Sequence, residues 1–305
     1  HRPVAVVHGN LGRGRQRAAG LSPALDAQGA PVAFGARPMR PGDDPKYLNS
    51  PETAAYTKGR HLFGLNASRD EIRKKKFAIL VEGYLDLIIP FQFGIRNIVA
   101  GLGTALTAEQ AKLLGRFARK VVVNYDGDQA GKKAARRAID SLLQTLISED
   151  FDIKVLVLPG GADPDEFIRT KGVAEYNKRR GEAPTWIQFV IDQAVGERDL
   201  RNPGAKTEAI DEILPYLRSV PLGNQGTKRR EYFGIAMNAL SIEPELHRDL
   251  WAAVKKSSGG SNEQQPAVRQ KILRTKRTEM TIAERKLVEF LVNDPELREA
   301  LLPLI

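Results

Sequence analysis

Six carboxylates of this 305-residue chain sit just where short apolar runs end, and that placement could do chemistry. Glu82 closes the run FAILVEG that begins at Phe77, and Asp86 lies one helical turn beyond it. Asp126 and Asp128 follow KVVVNY, and Asp163 and Asp165 follow FDIKVLVLP. Ionised acids within about 4 to 6 Å raise one another's pKa, so a cleft that gathers them is costly unless cations neutralise it. Magnesium, or manganese, suits such a place, because both take hard oxygen ligands and magnesium keeps several waters beside a few carboxylates and substrate phosphates. Two such ions can serve an in-line phosphoryl displacement, one activating the attacking hydroxyl and the other the leaving oxygen. Taken singly, each acidic piece is an ordinary solvated turn; the conjunction of three of them points to chemistry. Gly83, Gly127, Gly131, Gly160 and Gly161 stand beside the acids and either let backbone approach an ion or simply make turns.

The acids meet only if the runs are parallel strands. FAILVEG (77–83), IRNIVAG (95–101), KVVVNYD (120–126) and FDIKVLVLP (151–159) are short, apolar and rich in strand formers. Helical spacing fills the gaps: Leu85, Ile88 and Ile89 after the first run; TAEQAKLLGRFAR after the second, opened by a Thr107/Gln110 capping box; and QAGKKAARRAIDSLLQTLIS after the third. In that last helix Ala130, Ala134, Ala138 and Leu142 share a stripe, and Lys132, Lys133, Arg136 and Arg137 form a charged face that is read as solvated ahead of the alternative, phosphate binding. A short helix is predicted after Asp163, with Pro164 at its start. The expectation is an α/β fold, a parallel four-stranded sheet flanked by helices, whose carboxyl-edge loops converge. Residues 1–30 show no periodicity and are read as lacking regular structure, and 31–69 as loop-rich or small β. Residues 184–256 predict an α-helical bundle domain that buries Trp186 and Trp251, 257–265 is a linker by composition, and one further amphipathic helix follows.

Forty-seven basic against 37 acidic residues give +10, which favours a polyanionic partner. Without cysteine there is no disulfide, thiolate zinc site or cysteine nucleophile, and the four histidines are scattered. No apolar run approaches the roughly 20 residues that span a bilayer, and the amino terminus lacks a secretory pattern, so no membrane and a cytoplasmic address are expected.

Glu82-Gly-Tyr-Leu-Asp86, Tyr125-Asp-Gly-Asp-Gln-Ala-Gly131 and Asp163-Pro-Asp-Glu166 resemble, in order and strand context, the signature of bacterial DnaG-type primases, whose catalytic fold is called Toprim. The resemblance is specific over 31–167 and looser to 256. PKYLNSPET (45–53) and Lys58-Gly-Arg60 are similar to this family's basic ridge, and GLGTALT (101–107) to its loop after the second strand. The resemblance implies a DNA primase that joins ribonucleoside triphosphates into a short RNA primer on a single-stranded DNA template, with the replicative helicase as partner of the full-length protein. It implies that Glu82, Asp126 and Asp128 are catalytic, that these with Asp163 and Asp165 hold Mg2+ or Mn2+, and that Asp86 is a weaker ligand. Arg37, Lys46, Tyr47, Asn49, Lys58 and Arg60 would contact nucleotide or primer. It divides the chain into a remnant of the amino-terminal polymerase subdomain (1–70), the Toprim domain (71–172), a helical domain (173–257), a linker (258–279) and the start of a helicase-binding domain (280–305). The family's zinc module and the first part of its polymerase region have no counterpart here, so truncation at both ends is expected. Two rivals stay open: another Toprim enzyme, topoisomerase or nuclease, and an inactive fragment that binds single strands or helicase.

Overall fold

In the computed structural model the described residues are 5–10, 16–38, 48–54, 56–101, 106–146, 152–196, 198–220 and 226–255. They fall in two compact units, 1–190 with 219–226 and 191–218 with 227–305. The expected segments 258–279 and 280–305 lie outside the described residues.

The first unit opens with an antiparallel sheet, β1 (Ala5–Asn10), β2 (Gln16–Leu25), β3 (Pro31–Pro38) and β4 (Leu48–Asn49), in that order. The reading of 1–30 as lacking regular structure is therefore corrected. Its alanines and glycines carry little strand preference of their own, and cross-strand pairing decides. The β2–β3 turn is built on Asp26, whose Oδ1 accepts the N–H groups of Gln28, Gly29 and Ala30 at 2.8 to 2.9 Å. Helix α1 (Leu65–Lys75) was also not predicted. Its buried face is Leu65, Ser68 and Ile72, and the serine in mid-stripe hides the period; Ser68 Oγ donates to Ile98 O at 2.6 Å.

The four apolar runs form β5 (Ala78–Val81), β6 (Ile98–Ala100), β7 (Lys120–Tyr125) and β8 (Asp152–Val157), all parallel in the order β6-β5-β7-β8. Between and after them run α2 (Tyr84–Gln92), α3 (Ala108–Gly115), α4 (Gln129–Leu146) and α5 (Pro164–Glu182). Every residue of β5 and β6 is buried, as in a sheet covered on both faces. The capping box at α3 is present: Gln110 N donates to Thr107 Oγ1, and Thr107 N to Gln110 Oε1. The short helix expected after Asp163 instead reaches Glu182, with Gly172 at φ 83° breaking it into two pieces. A buried polar pair ties α5 under the sheet: Tyr176 Oη donates to Asn124 Oδ1 at 2.8 Å, and Asn124 Nδ2 to Leu156 O.

Helices α6 (Trp186–Val195), α7 (Pro203–Ser219), α8 (Gly226–Ala239) and α9 (Pro244–Lys255) follow. In the second unit Arg229 is buried on α8 and donates to Val254 O and Arg218 O, satisfying carbonyls at the ends of α9 and α7. Trp186 is buried as expected, whereas Trp251 is only half-buried, its ring meeting Phe233 edge to face at 5.1 Å with Lys255 Nζ over it at 5.8 Å.

Candidate active site

Three strands that neighbour one another, β5, β7 and β8, deliver their carboxyl ends to one edge. At β5 the chain turns through Glu82 and Gly83 into α2, where Asp86 Oδ2 accepts Gly83 N–H at 2.9 Å. At β7 it passes Asp126, Gly127 and Asp128 into α4, where Asp128 Oδ1 accepts Gly131 N–H at 2.6 Å. After β8 a 3-10 turn (Pro159–Gly161) leads to Asp163, whose Oδ1 accepts Glu166 N–H at 2.7 Å as the cap of α5. Each acid thus steadies a helix start while using one carboxylate oxygen, and the helix N-termini in turn favour the negative charge. The glycines serve chain-on-chain packing here. A Cβ on Gly127 would lie 2.5 Å from Leu158 O, and one on Gly131 2.1 Å from Asp126 O, so the β7 loop is pressed against the β8 loop and against its own helix.

The electrostatics record how closely the loops approach. Burial, then the charges of Asp126 and Asp163, push the Asp86 carboxyl up to about 7 against the opposing pull of the Gly83 N–H. Glu82 is exposed overall, yet partial loss of solvent at its carboxyl, followed by Asp126, raises it; Arg137 pulls it back, and Asp128 adds to the rise. Glu82, Asp86, Asp126, Asp128 and Asp163 therefore share one negative field. Asp165 does not join it: its carboxylate pairs with Arg169, one turn along α5. Among the described residues no three acidic or imidazole side chains are drawn together tightly enough to grip one ion, so what is present is a shared field with capped acids. The donor set fits a hard divalent cation nonetheless. All of its members are oxygens, and the raised carboxyls mark negative charge that such an ion would relieve.

Arg137 belongs to this site although the sequence reading set it aside with its neighbours on α4. A signal was available: helical side chains lean toward the helix start, so a cation two turns inside can face an acidic cap.

In metal chelator the raised carboxyls give a definite pH dependence. The folded state holds the Asp86 proton up to about pH 7 and the unfolded chain only to about 3.8, so between these values the native state binds more protons and stability falls as pH rises. A loss of about 2 kcal/mol between pH 5 and 8 is expected, discounted for partial exposure. Thermal melts should show it in the parent and largely not in Asp86→Asn; equal slopes in the two would contradict it.

The basic side is fastened to the same edge. Lys58–Arg60 form a 3-10 turn, and Gln110 Nε2 donates to Lys58 O at 3.0 Å and His61 O at 2.8 Å while Thr107 Oγ1 donates to Gly59 O. The capping box was legible in the sequence; its second use, latching a turn some fifty residues away, was not. Phe63 exchanges both backbone hydrogen bonds with Ala100 at the end of β6, and its ring meets Tyr84 edge to face at 4.6 Å. Tyr84 in turn lies against Gly35 of β3, where an added Cβ would come within 2.6 Å of the ring. The strand positions of Arg37, paired with Gly20, and Asn49, paired with Gly35, belong to this packed unit. Lys46 and Tyr47 lie outside the described residues.

Three family models match the chain: Toprim-like over residues 79–168, DNA primase catalytic core, N-terminal domain over 18–69, and DnaB-helicase binding domain of primase over 187–224. The DNA primase of Synechococcus elongatus is 42% identical over 207 residues, which is 66% of this chain and 30% of that protein. A DNA primase domain from Pseudomonas aeruginosa superposes with TM-score 0.66 at 36% identity, covering 78% of this chain and 72% of that one. A DnaG primase catalytic domain bound to single-stranded DNA gives 0.64 at 34% identity, covering 75% and 70%. The chain spans about a third to a half of the length of the curated relatives it matches.

Proposed function

The chain belongs to the bacterial DnaG-type primase family, and from that premise we propose that it is the catalytic part of a DNA primase, a nucleotidyltransferase that builds a short RNA primer on single-stranded DNA. The observation that carries this reading is the delivery of Glu82 with Asp86, of Asp126 with Asp128, and of Asp163 by three separate loops to one sheet edge, close enough that Asp126 raises both Glu82 and Asp86.

Glu82, Asp126 and Asp128, with Asp163 and Asp86 beside them, would hold Mg2+ or Mn2+; Asp165 would join on release from Arg169. Divalent ions at that place supply charge neutralisation for the entering hydroxyl and the departing pyrophosphate. The rest falls to the protein. Lys46, Lys58, Arg37 and Arg60 would take phosphates, Asn49 a sugar or base edge, and Tyr47 a base face. Held in line, the primer 3′-oxygen forms a bond to the α-phosphorus as the bond to pyrophosphate breaks, and the hydroxyl proton leaves to solvent or a nearby carboxylate. The latch from Thr107 and Gln110 keeps the Lys58 turn against the sheet edge, which lowers the cost of ordering it when nucleotide arrives.

The match over 187–224 supports the replicative helicase as a partner of the longer protein. Bacterial relatives support a cytoplasmic site of action, and among the described residues no helix is long and apolar enough to cross a membrane. Ribonucleotide incorporation on a single-stranded template tests the reading. Incorporation that requires Mg2+ or Mn2+ and stops in chelator is expected; incorporation indifferent to chelator, or none from folded chain in either metal, would contradict it.

A further inference from the structure

The opposite edge of the parallel sheet is basic. Lys74, Lys75 and Lys76 lead into β5, Arg96 leads into β6, and Arg116, Arg119 and Lys120 lead into β7. Since β6, β5 and β7 are neighbours about 4.8 Å apart, these approaches stand in a row. Arg73, Lys74, Lys75, Lys76, Arg96, Arg116 and Arg119 are exposed. Some of the charge is met locally: Lys75 with Glu71 at 3.3 Å, Arg73 with Asp70 at 3.6 Å, and Lys120 with Asp152 at 2.9 Å. Glu149 and Asp150, in the approach to β8, lie outside the described residues. Cations still outnumber acids along the edge.

Two further observations say what this edge is for. Lys76 is the C-cap of α1 at φ 60° and ψ 18°, the left-handed region where glycine is the ordinary occupant and a side chain costs about 1 kcal/mol or more. The chain bears that strain and keeps an exposed cation there. Three aromatic rings near the edge, Phe77, Phe117 and Phe91, carry the guanidinium groups of Arg180, Arg73 and Arg96 over their faces at 4.7, 4.8 and 5.9 Å. Phe93, just after α2 and three residues before Arg96, is half exposed and offers a base face beside that charge.

We propose that this edge is a second nucleic-acid surface, binding the sugar-phosphate backbone of single-stranded DNA without regard to sequence. It is separated from the acidic edge by the length of the strands, about 10 to 20 Å, and it does not rest on the catalytic reading. Its charged contacts are phosphate contacts, so affinity falls with salt in proportion to the number of cations engaged.

The test uses fluorescence anisotropy of a labelled oligothymidylate over a salt series. The combined change Lys74→Glu, Lys76→Glu and Arg96→Glu should weaken binding about tenfold or more at low salt and reduce the slope of log affinity against log salt by about 2. Lys76→Gly gives the sharper arm, because it should raise the melting temperature by a few degrees while weakening DNA binding two- to threefold. A merely structural lysine would not move the two readouts in opposite senses. Unchanged affinity and slope in folded variants would overturn the proposal. So would a polyglutamate competitor as effective as oligothymidylate at equal charge, which would assign the edge to an acidic protein partner.

Discussion

Asparagine at Asp126 should lower metal-dependent ribonucleotide incorporation by about a thousandfold, the scale seen when one preorganised charge is removed from a transition-state site. Asp126 is singled out by its position between the loops: its charge raises both Glu82 on the β5 turn and Asp86 on α2. The change is nearly isosteric, and the side chain stands on the turn after β7, so the fold should persist. The same variant makes a second, independent prediction. With that charge gone, the Asp86 carboxyl should titrate lower than about 7 in chelator, since burial would still raise it but one of its acidic neighbours would not. Activity within tenfold of the parent, or an Asp86 titration that does not move, would refute the assignment.

Gly131→Ala should be the most damaging single-atom addition in the site. The new Cβ would lie 2.1 Å from Asp126 O, a backbone atom that no rotamer change can clear, so the first turn of α4 must separate from the end of β7. A loss of about 3 kcal/mol or more is expected in denaturant unfolding, together with weaker divalent-ion binding, because Asp126 and the Asp128 cap are both displaced. Gly160→Ala is the comparison: at φ 75° but with open space around it, it should cost only about 1 kcal/mol of backbone strain. Equal losses in the two variants would show that the close approach at Gly131 is not the cause.

The parallel sheet was legible because its strands are short, apolar and punctuated by glycine or acid, and the helices between them declare their period. The placement of the acids at one edge followed from that topology alone. What stayed hidden was local in pattern and distant in cause. Ser68 interrupts the apolar stripe of α1 and is paid back by a hydrogen bond to Ile98 O, a partner thirty residues away. The strands within 16–25 are held by pairing with 31–38, and nothing in their own composition announces it. In sequence the glycines of the acidic loops admit two roles, and the packing of Gly127 and Gly131 against backbone depends on the β7 loop meeting, in the fold, both its own helix and the β8 loop some thirty residues on. Asp165 looked equivalent to Asp163 in sequence, but Arg169, four residues on, is placed by the helix to take it.

On the proposed function, carboxylates from three loops hold divalent ions at the carboxyl edge of the sheet. Anomalous diffraction from crystals soaked in Mn2+ tests it most directly. A peak bounded by carboxylate oxygens of Glu82, Asp126 and Asp128, at about the 2.0 to 2.2 Å reach of a small hard cation, is the predicted result. Clear density for all three side chains with no anomalous peak among them at saturating Mn2+ would contradict it.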